Sequence, residues 1–350
     1  MRASLIDFGV PLLLAASVLL LLPVVATLAL GRLGYWFLER GKRSATRRVC
    51  KWVWLLPRPA GWLVSNILLI RADSEDGNAD AAAALLDRCL ESAARARWRT
   101  RFLCWAAIDI WINAGQYRKA LRAIRRFPMF GPERARDAGL YGTMQVNRAE
   151  ALHNLGRDRL ALRLLARTRP FSKRSTLARN GALLLEAWIL SQLGEGERAR
   201  SVLSGLNSRP LSPHYAAEIH FTRAAVELCC GQLDAAVVEA NLGLTRAVRS
   251  SSERNGRFLL GKIEMARGEL TRAVSHYEAG RAHRYQRQGG PSLCELGQVY
   301  ERLGKLADAR QVYLDATLRD PESFAANECR ARLARLQLTA HSTPTSLPRT

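Results

Sequence analysis

The apolar positions of this chain fall into two regimes. From Val10 to Leu30 they run without a single charge for twenty-one positions, VPLLLAASVLLLLPVVATLAL, and a second dense stretch, WVWLLPRPAGWLVSNILLI, occupies 52–70. Beyond residue 78 the chain reads instead as a succession of helices divided by glycines. A glycine recurs at Gly115, Gly156, Gly194, Gly231, Gly268 and Gly304, at intervals of 41, 38, 37, 37 and 36 residues. Five residues after each stands an alanine: Ala120, Ala161, Ala199, Ala236, Ala273 and Ala309. Seven before each is a small residue in five of six cases, Ala149, Ala187, Ala224, Gly261 and Gly297, with Ile108 as the exception.

Paired helices account for all three positions. The glycine ends the first helix in a left-handed conformation that costs it almost nothing. The two small positions sit where the paired helices come closest. Nine residues after each glycine stand Ile124, Leu165, Leu203, Ala240, Tyr277 and Tyr313, which are expected to pack toward the next hairpin.

The series resembles the tetratricopeptide repeat. The last unit carries Leu296-Gly297, Tyr300, Gly304, Leu306, Ala309, Tyr313, Ala316 and Pro321 at that family's spacing, and the 254–287 unit carries Leu260-Gly261, Gly268, Leu270, Ala273 and Tyr277. Earlier units depart from it: Ile108 and Trp111 replace expected residues, Gly196 leaves a packing position empty, and the units are longer than 34 residues. The resemblance covers about 98–322. It implies an all-α fold, a right-handed α-solenoid of about six hairpins with a concave face lined by each first helix. We expect an N-terminal transmembrane helix ahead of it. The divisions read as an anchor over 1–31, a basic juxtamembrane and interfacial segment with linker over 32–78, the solenoid with capping helices over 79–338, and a disordered Ser/Thr/Pro-rich tail over 339–350.

Twenty-one apolar residues make about 30 Å of helix, enough to cross a bilayer. A cleaved signal peptide fits less well, since the run is long for one and Asp7 interrupts its basic start. Arg32, Arg40, Lys42, Arg43, Arg47, Arg48 and Lys51 follow the run, which by the positive-inside rule places them in the cytoplasm. Within 52–70, Arg58 between Pro57 and Pro59 argues for interfacial pieces or a shallow re-entrant segment over a second span. The chain is thus expected to be a bacterial inner-membrane protein with a cytoplasmic solenoid.

Composition supports helices: Ala, Leu and Arg dominate and aromatics are 7%. The net charge of +22 is uneven. Residues 95–179 carry twenty Lys/Arg against five acids, whereas 180–350 carry twenty-two against eighteen. Arg118, Arg122, Arg125 and Arg126, continued by Arg163, Arg167, Lys173 and Arg174, form a basic surface. It suits anionic lipid, a merely solvated face, or an acidic protein or nucleic acid. Regular aromatic interleaving, which would favour nucleic acid, is missing.

Seven cysteines without a C-x-x-C spacing argue against a zinc site or disulfide framework and read as buried thiols. Six scattered histidines suggest no ligand set, and no phosphate-binding, hydrolase or metalloprotease motif occurs. Neither cofactor nor metal is expected, and the chain is not read as an enzyme. In the solenoid register the groove-facing polar residues are Asp109, Asn113, Asn147, Glu150, Asn154, Gln192 and Lys262. Asparagine both donates and accepts, so it suits the backbone of an extended peptide. The expected function is a membrane-tethered scaffold for protein or peptide partners, with a tethered nucleic-acid- or lipid-binding protein as the alternative. Oligomeric state is not legible.

Overall fold

The computed structural model describes residues 25–341 apart from 28, 39, 41, 55–59, 76–77, 94–107, 127–137, 173–175, 207–212, 248–249 and 283–289. Regular structure among the described residues is entirely helical. Helix α1 covers residues 25–27 and 29–38. It is followed by α2 (Arg43–Trp54), α3 (Ala60–Glu75) and α4 (Ala79–Ala93). The phased array begins with α5 (residues 108–113) and α6 (Tyr117–Arg126). It continues through α7 (Ala138–Asn154), α8 (Asp158–Ser172), α9 (Thr176–Gln192), α10 (Gly196–Leu203), α11 (Pro213–Cys229) and α12 (Leu233–Arg246). Helices α13 (Ser250–Arg267), α14 (Leu270–Arg281), α15 (Gly290–Arg302) and α16 (Leu306–Arg319) complete it, and α17 (Phe324–His341) packs on α15 and α16.

All six phased glycines have positive φ, between 71° and 84°. Each ends its helix in the same way. The residue after the glycine donates its N–H to the carbonyl five positions back, as in Gln116 to Trp111 (2.8 Å), Glu195 to Leu190 (2.9 Å) and Lys305 to Tyr300 (2.9 Å). This is the Schellman closure, which needs a residue at ease in the left-handed region. All six phased alanines are fully buried. At Gly297 a Cβ would lie 2.3 Å from the Tyr313 ring, and at Gly261 it would lie 2.8 Å from Tyr277. In these two units the small position before the turn therefore seats the tyrosine that follows it. The Tyr277 ring packs inside its own hairpin, while its hydroxyl reaches Glu295 of the next at 2.8 Å; the Tyr313 hydroxyl stays within its own hairpin, on Glu301.

Successive first helices touch one another (α7 with α9, α9 with α11, α11 with α13), so they form a continuous inner layer with the second helices outside. The array curls far enough for its end to meet its beginning. The Tyr117 hydroxyl donates to Asp320 Oδ2 at 3.2 Å, and the Arg118 N–H donates to Glu322 Oε2 at 2.8 Å. Gly115 and Gly156 face Asp320 and Phe324 so closely that a Cβ would sit 3.2 and 3.0 Å from them.

The transmembrane expectation requires correction. No helix among the described residues is long and apolar enough to cross a membrane. Residues 1–24, which hold most of the apolar run, lie outside the described residues. Helix α1 begins within that run and ends at Leu38; beyond the run it packs on protein, since a Cβ at Gly34 would lie 2.6 Å from Leu68 and Thr46 donates to the Gly34 carbonyl at 3.3 Å. The 52–70 stretch is not one helix either, since α2 ends at Trp54 and α3 begins at Ala60. Val53, Leu68 and Ile70 are buried in protein. At Val53, Leu68 and Ile70, apolar density that reads as lipid-facing serves helix–helix packing. The inner-membrane location and the cytoplasmic placing of the solenoid rested on the span, and both are withdrawn with it.

Candidate functional site

The inner layer brings polar side chains from non-adjacent repeats into one channel. Counted back from the turn glycines, Asp109 on α5 and Glu150 on α7 hold the same sixth position, as Lys262 does on α13. Seven residues before that phase, hence on the same helical face, stands Glu218 on α11. Asp109 and Glu218 both act electrostatically on Glu150. Burial first, then the two neighbouring carboxylates, push the Glu150 carboxyl up to about 8. Asp109 is balanced by Arg71 at 3.3 Å, and Glu218 accepts from Ser252 at 2.9 Å. The Glu150 carboxyl has no hydrogen bond or ion pair among the described residues; only its backbone carbonyl is engaged, by Asn154 Nδ2 at 3.0 Å.

Farther along, the channel is bridged. Lys262 Nζ lies 2.9 Å from Gln192 Oε1 and 3.0 Å from Glu295 Oε1, tying α9, α13 and α15 together. Asn113 and Asn147 are half-buried, with side chains that bond to nothing among the described residues. Of the seven groove residues read from sequence, Asp109, Asn154, Gln192 and Lys262 are therefore spent on internal contacts. The side chains of Asn113, Asn147 and Glu150 make no hydrogen bond or ion pair among the described residues.

Sequence reasoning missed Glu218, Glu295 and Ser252. The signal for the first two was present, since Glu218 is one heptad before the nominated row and Glu295 shares the phase of Asn147.

The basic residues lie elsewhere. Arg118, Arg122 and Arg125 are exposed on α6, and Arg163 and Arg167 on α8. Arg126 closes α6, while Lys173 and Arg174 lie outside the described residues. No group of three His, Cys, Asp or Glu set to hold a metal occurs among the described residues. His153 and His220 are each occupied by a carboxylate, Asp158 at 2.7 Å and Glu239 at 2.6 Å. The six described cysteines are free thiols, four of them buried, and burial pushes Cys50 up to about 11.

Comparison with known proteins agrees with this architecture. Residues 290–323 match the family model of the tetratricopeptide repeat. No curated protein sequence matches the chain. Among solved structures, the APC/C hetero-tetramer Cut9–Hcn1 superposes with a TM-score of 0.53 at 12% identity, covering 86% of this chain and 54% of that one. The chain thus spans about half of that relative, and the likeness is one of fold. A tetratricopeptide repeat protein from Parabacteroides merdae gives 0.48 at 15% identity, covering 78% and 99% of the two chains. A Rap protein complexed with competence and sporulation factor gives 0.49 at 12%, covering 90% and 98%. The fold is a tetratricopeptide-like helical repeat.

Proposed function

We propose that this chain is a protein-interaction scaffold whose inner channel takes an extended peptide segment bearing a cationic side chain. The observation that carries the reading is the Glu150 carboxyl: inward-facing, without a partner of its own among the described residues, and held near two further carboxylates. A lysine or arginine brought beside it would relieve that crowding and draw its proton off. Asn113 and Asn147 stand on the same inner layer with amides that both donate and accept, the chemistry an extended backbone requires. The helical-repeat fold favours protein partners in general, since stacked hairpins offer a long concave wall and no enclosed reaction chamber.

The test is fluorescence anisotropy with labelled dodecapeptides that differ only in carrying lysine or norleucine at alternate positions. The lysine peptide should bind the purified chain more tightly, and its advantage should disappear in Glu150→Gln. Asn147→Ala should weaken both peptides alike. Equal binding of the two peptides to the unaltered chain would remove the basis for the proposal.

A further inference from the structure

The second helices of the first two array hairpins carry a pattern that the channel does not use. Counted from Gly115 and Gly156, Arg118 and Arg159 hold the same third position, and Arg122 and Arg163 the same seventh. Arg125 and Arg167 hold the tenth and eleventh. Steps of three and four residues put each triplet on one face of its helix. The shared phase turns both faces to the same side of the array, and all six residues are exposed.

None of the six has a carboxylate at ion-pair distance among the described residues. Arg163 Nε donates only to the Arg159 carbonyl, at 3.4 Å, and Glu322 takes the backbone N–H of Arg118. Farther along the array, several arginines are matched: Arg200 with Glu227 at 3.0 Å, Arg281 with Asp315 at 2.9 Å, Arg319 with Asp315 at 2.6 Å and Arg332 with Glu328 at 3.1 Å. Like charges four residues apart weaken a helix, so the fold itself gains nothing from the unmatched set.

Beside this face, Arg159, Leu162, Arg163, Leu193, Glu195 and Arg198 line a cleft of about 710 Å³ between α8 and the turn from α9 to α10. Leu193 is 44% exposed there, and neighbouring Leu160 is 42% exposed. A guanidinium array bordering a leucine-lined cleft matches a ligand with carboxylates on one side and aliphatic side chains on the next. We propose that the outer face of α6 and α8 docks an acidic amphipathic helix of a partner protein. Its carboxylates would meet Arg122, Arg159 and Arg163, and a leucine would enter the cleft. A single-stranded nucleic acid is the lesser match, because the aromatic of α6, Tyr117, is buried and offers bases no face to stack on.

The probe is a fluorescein-labelled 20-residue helical peptide with glutamates four apart and leucines on the adjoining stripe, titrated against the full chain. Binding should weaken about tenfold in Arg122→Gln/Arg159→Gln/Arg163→Gln, and comparably when the peptide's glutamates become glutamines or its leucines serines. Circular dichroism of the triple variant should match the parent. Glu150→Gln, in the channel, should bind the probe like the parent. Undiminished binding by the triple variant, loss of binding in Glu150→Gln, or tighter binding of a twenty-residue oligothymidylate than of the peptide would each overturn the proposal.

Discussion

Replacing Glu150 by glutamine isolates the most unusual ionisable group of the channel. Its carboxyl is raised from an ordinary 4.5 to about 8 in the folded chain. Between those two values the unfolded chain has lost the proton and the folded chain still holds it. Stability therefore falls as pH rises through that window, at about 1.4 kcal/mol per pH unit for one proton. Taken over the whole window this amounts to roughly 5 kcal/mol. Because the side chain is only half-buried, solvent screening cuts the effective figure to about 2–3 kcal/mol. Glutamine keeps the shape and cannot ionise, so Glu150→Gln should match the parent near pH 4.5 and exceed it by about 2–3 kcal/mol above pH 8. Urea denaturation followed by circular dichroism at pH 5, 7 and 9 reads the difference directly. Parallel stability curves for the two proteins across that range would refute the account of the crowded carboxylates.

Three further outcomes follow from the packing. Gly297→Ala should cost about 2–3 kcal/mol by thermal denaturation, because its Cβ would sit 2.3 Å from the fully buried Tyr313 ring. Gly304→Ala meets nothing within 4 Å, so only its φ of 73° is penalised, and about 1 kcal/mol is expected in the same assay. Tyr117→Phe removes the hydroxyl that Asp320 accepts; urea denaturation at pH 7 should show a loss of about 1.5–3 kcal/mol, the range for a bond to a charged group.

The repeat was legible because its marks are local and chemically forced. A left-handed turn wants glycine, and a close helix crossing wants alanine or glycine; both recur in fixed phase. The same logic placed Glu150 and Asp109 on the inner layer. It failed where the deciding contact is remote. The apolar stretch at 52–70 reads alike whether lipid or another helix covers it, and only the packing of Val53, Leu68 and Ile70 within the described structure separates the two. Asn154 and Lys262 have the right phase for a groove, yet the backbone of Glu150 and the side chains of Gln192 and Glu295 take their bonding groups. Seven-residue spacing would have delivered Glu218. No local pattern announces that Tyr117 meets Asp320, 203 positions later, since that depends on a small rotation accumulated over six hairpins.

The meeting of Tyr117 with Asp320 gives this array a built-in length gauge. Joining chain positions 203 apart by free diffusion would cost roughly 5 kcal/mol of entropy, but once the intervening hairpins are stacked they deliver one terminus to the other at little extra cost. The seam consequently forms only when every unit is present and correctly wound. Excising or duplicating any one hairpin would carry Asp320 past its mate and leave a gap, turning a ring into an open spiral.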